Sequence, residues 1–256
     1  MCEVYGFCGS VPTKLNKYTD EFWLHSRVHQ DGFGFYLADK NELYVNPHTA
    51  MAYIGKLNKK DFTAKLALCH IRFKTHGPAS IENCHPFIKY DCRGTKWSLI
   101  HNGYIEDSHA VAALGTLQTG ETDSERILLS IIEVVNYYYE HSYVTDHEEF
   151  LYNLYVTIEA ILTELASLGK INLIFTDSLT NNMYVYMNHP NTLYYLNTDT
   201  GVHISTTKLS DENWKAVDPY KLHIFNNGVK LDYNRWYTFN KRHHVSIVTI
   251  QRLNKG

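Results

Sequence analysis

The segment that decides the fold begins at His70 and ends at Phe87, and it reads HIRFKTHGPASIENCHPF. It opens as the polar end of an apolar run and breaks at Gly77-Pro78. This pattern predicts a strand that gives way to a loop, and loops held by a rigid scaffold commonly carry functional side chains. The segment also contains a guanidinium, several imidazoles and a threonine hydroxyl, a density of polar groups that packing alone does not explain.

The composition is that of an ordinary globular protein. The chain has 256 residues, of which 44% are hydrophobic and 20% charged. Its 24 basic and 27 acidic residues give a net charge of -3, so the basic surplus typical of nucleic-acid-binding proteins is missing. No stretch approaches the roughly 20 apolar residues of a membrane span, and the amino terminus lacks a signal-peptide pattern. We therefore expect a cytoplasmic protein without a nucleic-acid or membrane partner.

The cysteines argue against a disulfide scaffold and against a metal centre. They number five, an odd count, and form no C-x-x-C pair: Cys2, Cys8, Cys69, Cys84 and Cys92. Two of them precede histidines, as in Cys69-His70. On a strand, however, neighbouring side chains point to opposite faces, so this pair cannot chelate one ion. We expect no metal site.

Strand patterns precede and follow two helical segments. The first part predicts a strand over residues 3–11, a helix over 17–29, a hairpin over 32–37 and 42–45, and strands over 65–73 and 97–105. Two consecutive helices then start at Thr122 and Thr145, each with a capping pattern before apolar residues at helical spacing. Further strands are predicted over residues 171–175, 183–187, 193–196, 202–205, 222–225 and 245–250.

This order of elements predicts an α+β fold in which two sheets pack together with helices outside. Since no linker or repeat interrupts the pattern, we expect a single domain over residues 1–256. The strand predicted over residues 97–105 is interrupted by Asn102-Gly103. Asn-Gly is typical of a type I′ hairpin turn, and the dipeptide alone leaves that interpretation open.

Four motifs occur in a fixed order along the chain. They are Met1-Cys2 at the start of a strand, His70-x-Arg72-x-x-Thr75-His76-Gly77 with Asn83-Cys84-His85-Pro86-Phe87, His101-Asn102-Gly103, and Thr122-Asp123-Ser124-Glu125. Together they resemble the glutaminase domain of class II glutamine amidotransferases, which are N-terminal-nucleophile hydrolases. The Met-Cys-x-x-x-Gly start and the run His29-x-Asp31-Gly32-x-Gly34 resemble the stand-alone branch of that family.

The resemblance implies a four-layer αββα sandwich of two antiparallel sheets, and it implies an activity. Glutamine would be hydrolysed at its side-chain amide to glutamate and ammonia, through a γ-glutamyl thioester. Cys2 would be the nucleophile once Met1 is removed, and the exposed α-amine, with an ordinary pKa of roughly 7.7 to 8.0, can act as general base. No cofactor and no metal is implied.

The remaining site residues follow from the same resemblance. The Asn102 side-chain N–H and the Gly103 backbone N–H match the oxyanion positions of the family. Arg72 matches the clamp for the α-carboxylate, a task that suits a planar bidentate donor. Asp123 matches the residue that binds the α-ammonium group, and Thr75 and Gly103 match the same substrate pocket. Taken singly, Arg72 is also compatible with a strand-end charge and Asp123 with a helix first-turn acid.

Three functions remain open at this point. The synthase-fused members of the family commonly have Trp after the matched arginine, where this sequence has Phe73, and they carry a second domain that consumes the ammonia. We therefore expect a stand-alone glutaminase, or a glutaminase that serves a separate ammonia-accepting synthase subunit. The alternatives are a hydrolase of another γ-glutamyl amide or peptide and a non-catalytic glutamine-binding module.

Overall fold

The computed structural model of the protein describes residues 2–74, 77–106 and 117–233. Within these ranges the strands are β1 Glu3–Lys14, β2 Phe33–Leu37, β3 Glu42–Asn46, β4 Thr63–Ile71, β5 Phe87–Tyr90, β6 Lys96–His101, β7 Tyr104–Ile105, β8 Gly169–Lys170, β9 Asn172–Asp177, β10 Met183–Met187, β11 Tyr194–Thr198, β12 Gly201–Ser205, β13 Lys215–Ala216, β14 His223–Asn226 and β15 Val229–Lys230. The α-helices are α1 Asn16–Leu24, α2 Ile54–Leu57, α3 Asp123–His141 and α4 His147–Ala166.

The strands form two antiparallel sheets and a short ladder. The first sheet has seven strands in the order β13-β11-β12-β1-β4-β2-β3, and the second has six in the order β15-β14-β10-β9-β6-β5. The ladder pairs β7 with β8. Because β1 and β4 are neighbours near the middle of the first sheet, the amino terminus of the chain meets the end of β4 there.

Three apolar clusters separate four layers. Tyr5 and Trp23 belong to a cluster that packs the first sheet against α1. Val4 and Ile174 belong to a second cluster, which lies between the two sheets. The third cluster packs the second sheet against α3 and α4. The four-layer αββα sandwich predicted from the sequence is therefore confirmed.

Alternation along β1 decides which way the first residues face. Tyr5 and Phe7 point toward α1, whereas Val4 and Cys8 point toward the second sheet. Cys2 is in phase with Val4, so its side chain is directed toward the second sheet. The register of β1 thus brings the amino-terminal thiol to the space between the sheets.

Most predicted elements are confirmed with shifted ends. The predicted helix over residues 17–29 ends at Leu24 and continues as a 3₁₀ turn, His25–Arg27. The strand predicted to reach residue 73 ends at Ile71, because the backbone of Arg72 bonds to the loop before β2: its N–H donates to Gly32 O at 2.8 Å and its carbonyl accepts from Asp31 N at 3.1 Å. The strand predicted over residues 245–250 lies outside the described residues.

The hairpin interpretation of Asn102-Gly103 is wrong. The strand before the dipeptide, β6, pairs with β5 and β9, whereas the strand after it, β7, pairs with β8. Glycine is needed for a different reason, since a Cβ at Gly103 would lie 1.9 Å from Lys170 O. Close approach of β8, rather than a tight turn, selects glycine here.

No helix among residues 2–74, 77–106 and 117–233 combines the length and the apolar character needed to cross a membrane.

We predict that truncation between the sheets destabilises the protein strongly. Ile174 is fully buried, and a Cβ at Gly6 of β1 would lie 3.0 Å from its Cγ2 atom. Ile174→Ala is expected to lower the free energy of unfolding by about 2 to 5 kcal/mol, measured by urea denaturation, because it leaves a cavity in a packed layer. Val11→Ala, at a side chain that is 47% exposed, is the control. Equal losses in the two variants would contradict the proposed packing.

Candidate active site

Cys2 contacts the backbone of Phe73 immediately beyond β4. Since Glu3 pairs with Ile71, Cys2 follows the same register toward Arg72 and Phe73. The Phe73 N–H donates to Cys2 Sγ at 3.3 Å, and the thiol in turn reaches Phe73 O at 3.3 Å. The carbonyl accepts from the thiol, and the N–H stabilises a thiolate, so the same contact serves both protonation states.

The environment of Cys2 raises the pKa of its thiol. Burial is the largest cause, and the nearby Asp123 carboxylate acts in the same direction. The Phe73 hydrogen bond and the positive charge of Arg72 lower the pKa but do not outweigh burial. Because only the thiolate is a strong nucleophile, a nucleophilic role for this cysteine would require a base to remove its proton near neutral pH.

A small cavity joins the residues that the sequence singled out. It has about 290 Å³ of empty space, a figure that includes open solvent. Its lining residues are Cys2, Arg72, Phe73, His85, His101, Gly103, Thr122, Asp123 and Ser124. The structure therefore brings together Cys2, Arg72, Gly103 and Asp123, whereas Thr75 lies outside the described residues.

Arg72 is buried, with 2% of its surface exposed. Its Nη1 donates to Pro78 O at 2.9 Å and to Asp31 O at 3.4 Å, and its Nη2 donates to Gly77 O at 3.3 Å. These carbonyls are neutral, so they orient the guanidinium without cancelling its charge. The side chain thus fixes the 77–78 loop and also lines the cavity.

Asp123 is buried at the first position of α3, with 5% of its surface exposed. Its Oδ1 accepts from the Ser124 N–H at 2.9 Å and its Oδ2 from the Ile105 N–H at 3.0 Å. None of the ion pairs within the described parts of the chain includes Asp123. Backbone dipoles stabilise this carboxylate, and a bound ammonium group would supply the missing positive partner.

Asn102 continues the register of β6, and its backbone N–H donates to Asn172 O at 2.9 Å. The side chain is 5% exposed, and its Oδ1 is buried without a hydrogen-bond partner among the described residues. A buried amide atom without a partner is uncommon and calls for a ligand or water. Asn102 does not itself line the cavity, but it lies next to Gly103, which does.

Three buried imidazoles, which we call the histidine stack, lie on one side of the site: His70, His85 and His101. His85 and His101 line the cavity, and His70 packs behind them. The rings of His70 and His85 are 3.9 Å apart, and His70 Nε2 donates to His101 O at 3.1 Å. The His101 ring bonds to Ser124 Oγ at 2.9 Å. Burial lowers the pKa of all three, that of His70 to about 3, so the stack is neutral at physiological pH.

The glycines of the His29-x-Asp31-Gly32-x-Gly34 run allow this side of the site to approach the first sheet. Gly32 has φ +135°, and a Cβ there would lie 2.7 Å from Cys84 Sγ. A Cβ at Gly34 would lie 2.3 Å from His85 O. The two glycines therefore accept the segment that carries His85, which gives the motif a packing role beside the site.

A wider groove lies elsewhere on the molecule, with about 900 Å³ of empty space that includes open solvent. Its lining residues include Asp218, His223 and Lys230. Among the described residues that line it there is no cysteine, serine or arginine. Size alone does not identify a reactive site, and the smaller cavity is the one that the Cys2 thiol lines.

Comparison with known proteins decides the family. The sequence description of the family named Glutamine amidotransferases class-II matches residues 1–200. This chain belongs to the class II glutamine amidotransferases. The match includes the positions of Cys2, Arg72, Asn102, Gly103 and Asp123.

Individual class II relatives resemble most of the chain. A protein of Haemophilus influenzae named "Putative glutamine amidotransferase" is 24% identical over 260 residues, which cover 90% of this chain and 86% of that protein. The crystal structure of a predicted glutamine amidotransferase from Pseudomonas aeruginosa has a TM-score of 0.61 at 19% identity, covering 90% of this chain and all (100%) of that one.

Glutamine phosphoribosylpyrophosphate amidotransferase from B. subtilis has a TM-score of 0.60 at 20% identity, covering 90% of this chain and 48% of that one. At these identities the two solved structures show the fold alone. They confirm the N-terminal-nucleophile hydrolase fold that the resemblance implied.

Sequence reasoning missed two contacts of the site. The Phe73 backbone N–H donates a hydrogen bond to the thiol of Cys2, and a pattern of side chains cannot predict such a backbone contact. Ser124 links the His101 ring to the carboxylate of Asp123, its Oγ lying 2.9 Å from His101 Nδ1 and 3.4 Å from Asp123 Oδ1. The capping pattern contained Ser124 and so offered a signal, but it did not show which way the hydroxyl points.

We predict that Asp123→Asn lowers the pKa of the Cys2 thiol. The carboxylate raises that pKa electrostatically, so its neutralisation increases the thiolate fraction at any fixed pH below the pKa. The rate of iodoacetamide alkylation at Cys2, followed by peptide mass spectrometry as a function of pH, is expected to rise. Asp146→Asn, at the N-cap of α4, is the matched control and should leave the profile unchanged. A profile that Asp123→Asn does not shift would show that the two groups are not coupled.

Proposed function

We propose that this protein hydrolyses the side-chain amide of glutamine to glutamate and ammonia, through a γ-glutamyl thioester on Cys2 after removal of Met1. The observation that carries the proposal is a small cavity that is lined by a thiol, a buried guanidinium and a buried carboxylate. An α-amino acid has the complementary charges at its head, and its side-chain amide extends away from them. Membership of the class II family supports the same reaction.

Arg72 and Asp123 bind the amino-acid head in this proposal. The guanidinium takes the α-carboxylate, since a planar fork donates two parallel hydrogen bonds to it. The carboxylate takes the α-ammonium group and thereby gains the cationic partner that it lacks in the described residues. With the head fixed at both ends, the γ-amide is directed toward Cys2, and this orientation supplies part of the rate enhancement.

The α-amine of the processed chain acts as the base. It removes the thiol proton, the sulfur attacks the amide carbon, and the same proton is delivered to the departing ammonia. The Asn102 side-chain N–H and the Gly103 backbone N–H stabilise the oxyanion that forms during attack. Water then attacks the thioester and releases glutamate. Met1 lies outside the described residues, and its removal is part of the proposal.

A second candidate is hydrolysis of another γ-glutamyl amide or peptide. Phe73 lines the cavity beside Cys2 and is 42% exposed, so the cavity is open to solvent on the side of the thiol. Such an opening can accept a leaving group larger than ammonia, while Arg72 and Asp123 hold the same head. Values of kcat/KM for a panel of γ-glutamyl compounds separate the two candidates, and a preference for glutamine would count against this one.

We further propose a cytoplasmic location and a separate synthase subunit that accepts the ammonia. The chain aligns with 48% of glutamine phosphoribosylpyrophosphate amidotransferase, a protein named for its acceptor. Our proposal assigns the corresponding acceptor role to another chain. If Met1 were retained in the mature protein, which intact-mass spectrometry shows directly, the blocked amine would favour a non-catalytic glutamine-binding module instead.

The central prediction concerns Cys2. The processed protein is expected to release glutamate and ammonia from glutamine, and Cys2→Ala is expected to abolish the release because no thioester can form. Cys92→Ala, at an exposed cysteine, is the matched control and should retain full turnover. Glutamate is measured by a coupled dehydrogenase assay. Equal activity in wild-type and Cys2→Ala protein would eliminate the proposed mechanism.

A second prediction concerns the oxyanion. Asn102→Ala is expected to lower kcat by about 10² to 10³ with little change in KM, because its N–H is used only when charge develops on the carbonyl oxygen. Asn191→Ala, in an exposed turn, is the control and should behave like the wild-type enzyme. A variant at Asn102 that retains normal kcat would leave the side chain with a purely structural role.

A further inference from the structure

We infer that Asn83 is a positioning residue that sets the spacing between the Arg72 guanidinium and the Asp123 carboxylate. The inference rests on the proposed function, since that spacing matters only if the two groups bind one amino-acid head. Asn83 is 1% exposed and is not among the residues that line the cavity. It therefore acts through its neighbours and does not touch the substrate.

One end of the Asn83 amide holds the loop that orients Arg72. Its Nδ2 donates to Pro78 O at 3.1 Å, and the same oxygen accepts from Arg72 Nη1 at 2.9 Å. Gly77 has φ +68°, and a Cβ there would lie 2.7 Å from Asn83 Nδ2. The amide therefore packs directly against the loop, and it shares a carbonyl with the guanidinium.

The other end of the amide holds the segment that leads to Asp123. Its Oδ1 accepts from the Glu121 N–H at 2.8 Å, just before the start of α3. A Cβ at Gly120 would lie 2.5 Å from the same oxygen. One buried side chain thus bridges two loops that are separated in the sequence, and each loop leads to one half of the proposed clamp.

Glu125 holds the loop before α3 rigidly to the helix. A displacement of Glu121 in that loop therefore also displaces the start of α3. Its carboxylate accepts from the N–H groups of Thr119 and Gly120, each at 2.8 Å, and pairs with Lys89 Nζ at 2.6 Å. Only half of the predicted capping box is present here, because Thr122 Oγ1 accepts from the Glu125 N–H while the Glu125 carboxylate bonds to the loop.

An amide is suited to this bridge because it donates with one atom and accepts with the other. Asparagine satisfies both Pro78 O and the Glu121 N–H. Aspartate keeps the acceptor for Glu121 but places a second oxygen against Pro78 O. Leucine, which has a similar volume, provides neither bond. The two substitutions therefore separate loss of one contact from loss of both.

The test measures binding of L-glutamine by calorimetry in a processed Cys2→Ala background, where no turnover occurs. Asn83→Asp and Asn83→Leu are each expected to raise the Kd by about tenfold or more, since a net hydrogen bond contributes roughly that factor. A fluorescence melting curve of every variant records its Tm, so that loss of binding is compared with loss of stability.

Asn182→Leu is the matched control. Asn182 is also 1% exposed and also uses both amide atoms, its Nδ2 donating to Tyr155 Oη at 2.9 Å and its Oδ1 accepting from Asn226 Nδ2 at 2.8 Å. It precedes β10, and the register of that strand places it at the end of the second sheet away from Asn172. We expect Asn182→Leu to have a lower Tm than the parent and a Kd for L-glutamine within about twofold of the parent value. The reason is that substitutions at distant sites without shared partners usually act independently.

A second ligand distinguishes a changed spacing between the Arg72 and Asp123 groups from a general loss of stability. 4-Carbamoylbutanoate has the carboxylate and the amide of glutamine but lacks the α-ammonium group. In the parent, L-glutamine is expected to bind more tightly than this analogue, because both halves of the clamp act together. In Asn83→Leu the ratio of the two Kd values is expected to fall toward one, a change that a uniform loss of stability does not produce.

The outcomes separate the inference from the function on which it rests. If the parent binds glutamine and the Asn83 variants bind it equally well, or if Asn182→Leu weakens binding to the same extent, the inference is overturned and the proposed function stands. If the parent does not bind glutamine and the wild-type protein releases no ammonia, the proposed function is wrong and the inference is wrong with it.

Discussion

The antiparallel register between β1 and β4 is the constraint on which the site depends. Pairing of Glu3 with Ile71 brings Cys2 to Phe73 and to the end of the strand that carries Arg72. A slip of one residue would turn every side chain of β1 to the opposite face and would direct the thiol toward α1. The apolar residues of β1 prevent that slip, because Val4 and Tyr5 are each fully buried in a different layer.

The site is built around two buried groups of opposite charge. Backbone carbonyls surround the Arg72 guanidinium and backbone N–H groups surround the Asp123 carboxylate, so peptide dipoles replace water at both. Taking an ion out of water is costly unless hydrogen bonds compensate. The loops and the start of α3 supply those bonds within the fold itself. In the proposed function, this preformed arrangement reduces the reorganisation that binding would require.

Much of this arrangement could be predicted from the sequence. The strand and helix patterns gave the layer order, and the motif order predicted that Cys2, Arg72 and Asp123 meet. The predictions that failed, and the contacts that were missed, involve residues that are distant from each other in the sequence. Asn102-Gly103 resembles a hairpin turn locally, yet Lys170 O approaches Gly103 from a strand nearly seventy positions later in the numbering. The Phe73 contact and the Asn83 bridge involve backbone atoms, whose positions a side-chain pattern does not encode.

The neutral histidine stack makes one side of the candidate site less sensitive to acidification than ordinary imidazoles would. Ordinary imidazoles gain a proton near pH 6.5, but those of His70, His85 and His101 are shifted to lower values by burial. These three rings therefore gain a positive charge next to Arg72 only at a lower pH than ordinary imidazoles do. Between neutrality and the ordinary imidazole pKa, this side of the site therefore contributes little pH dependence of its own.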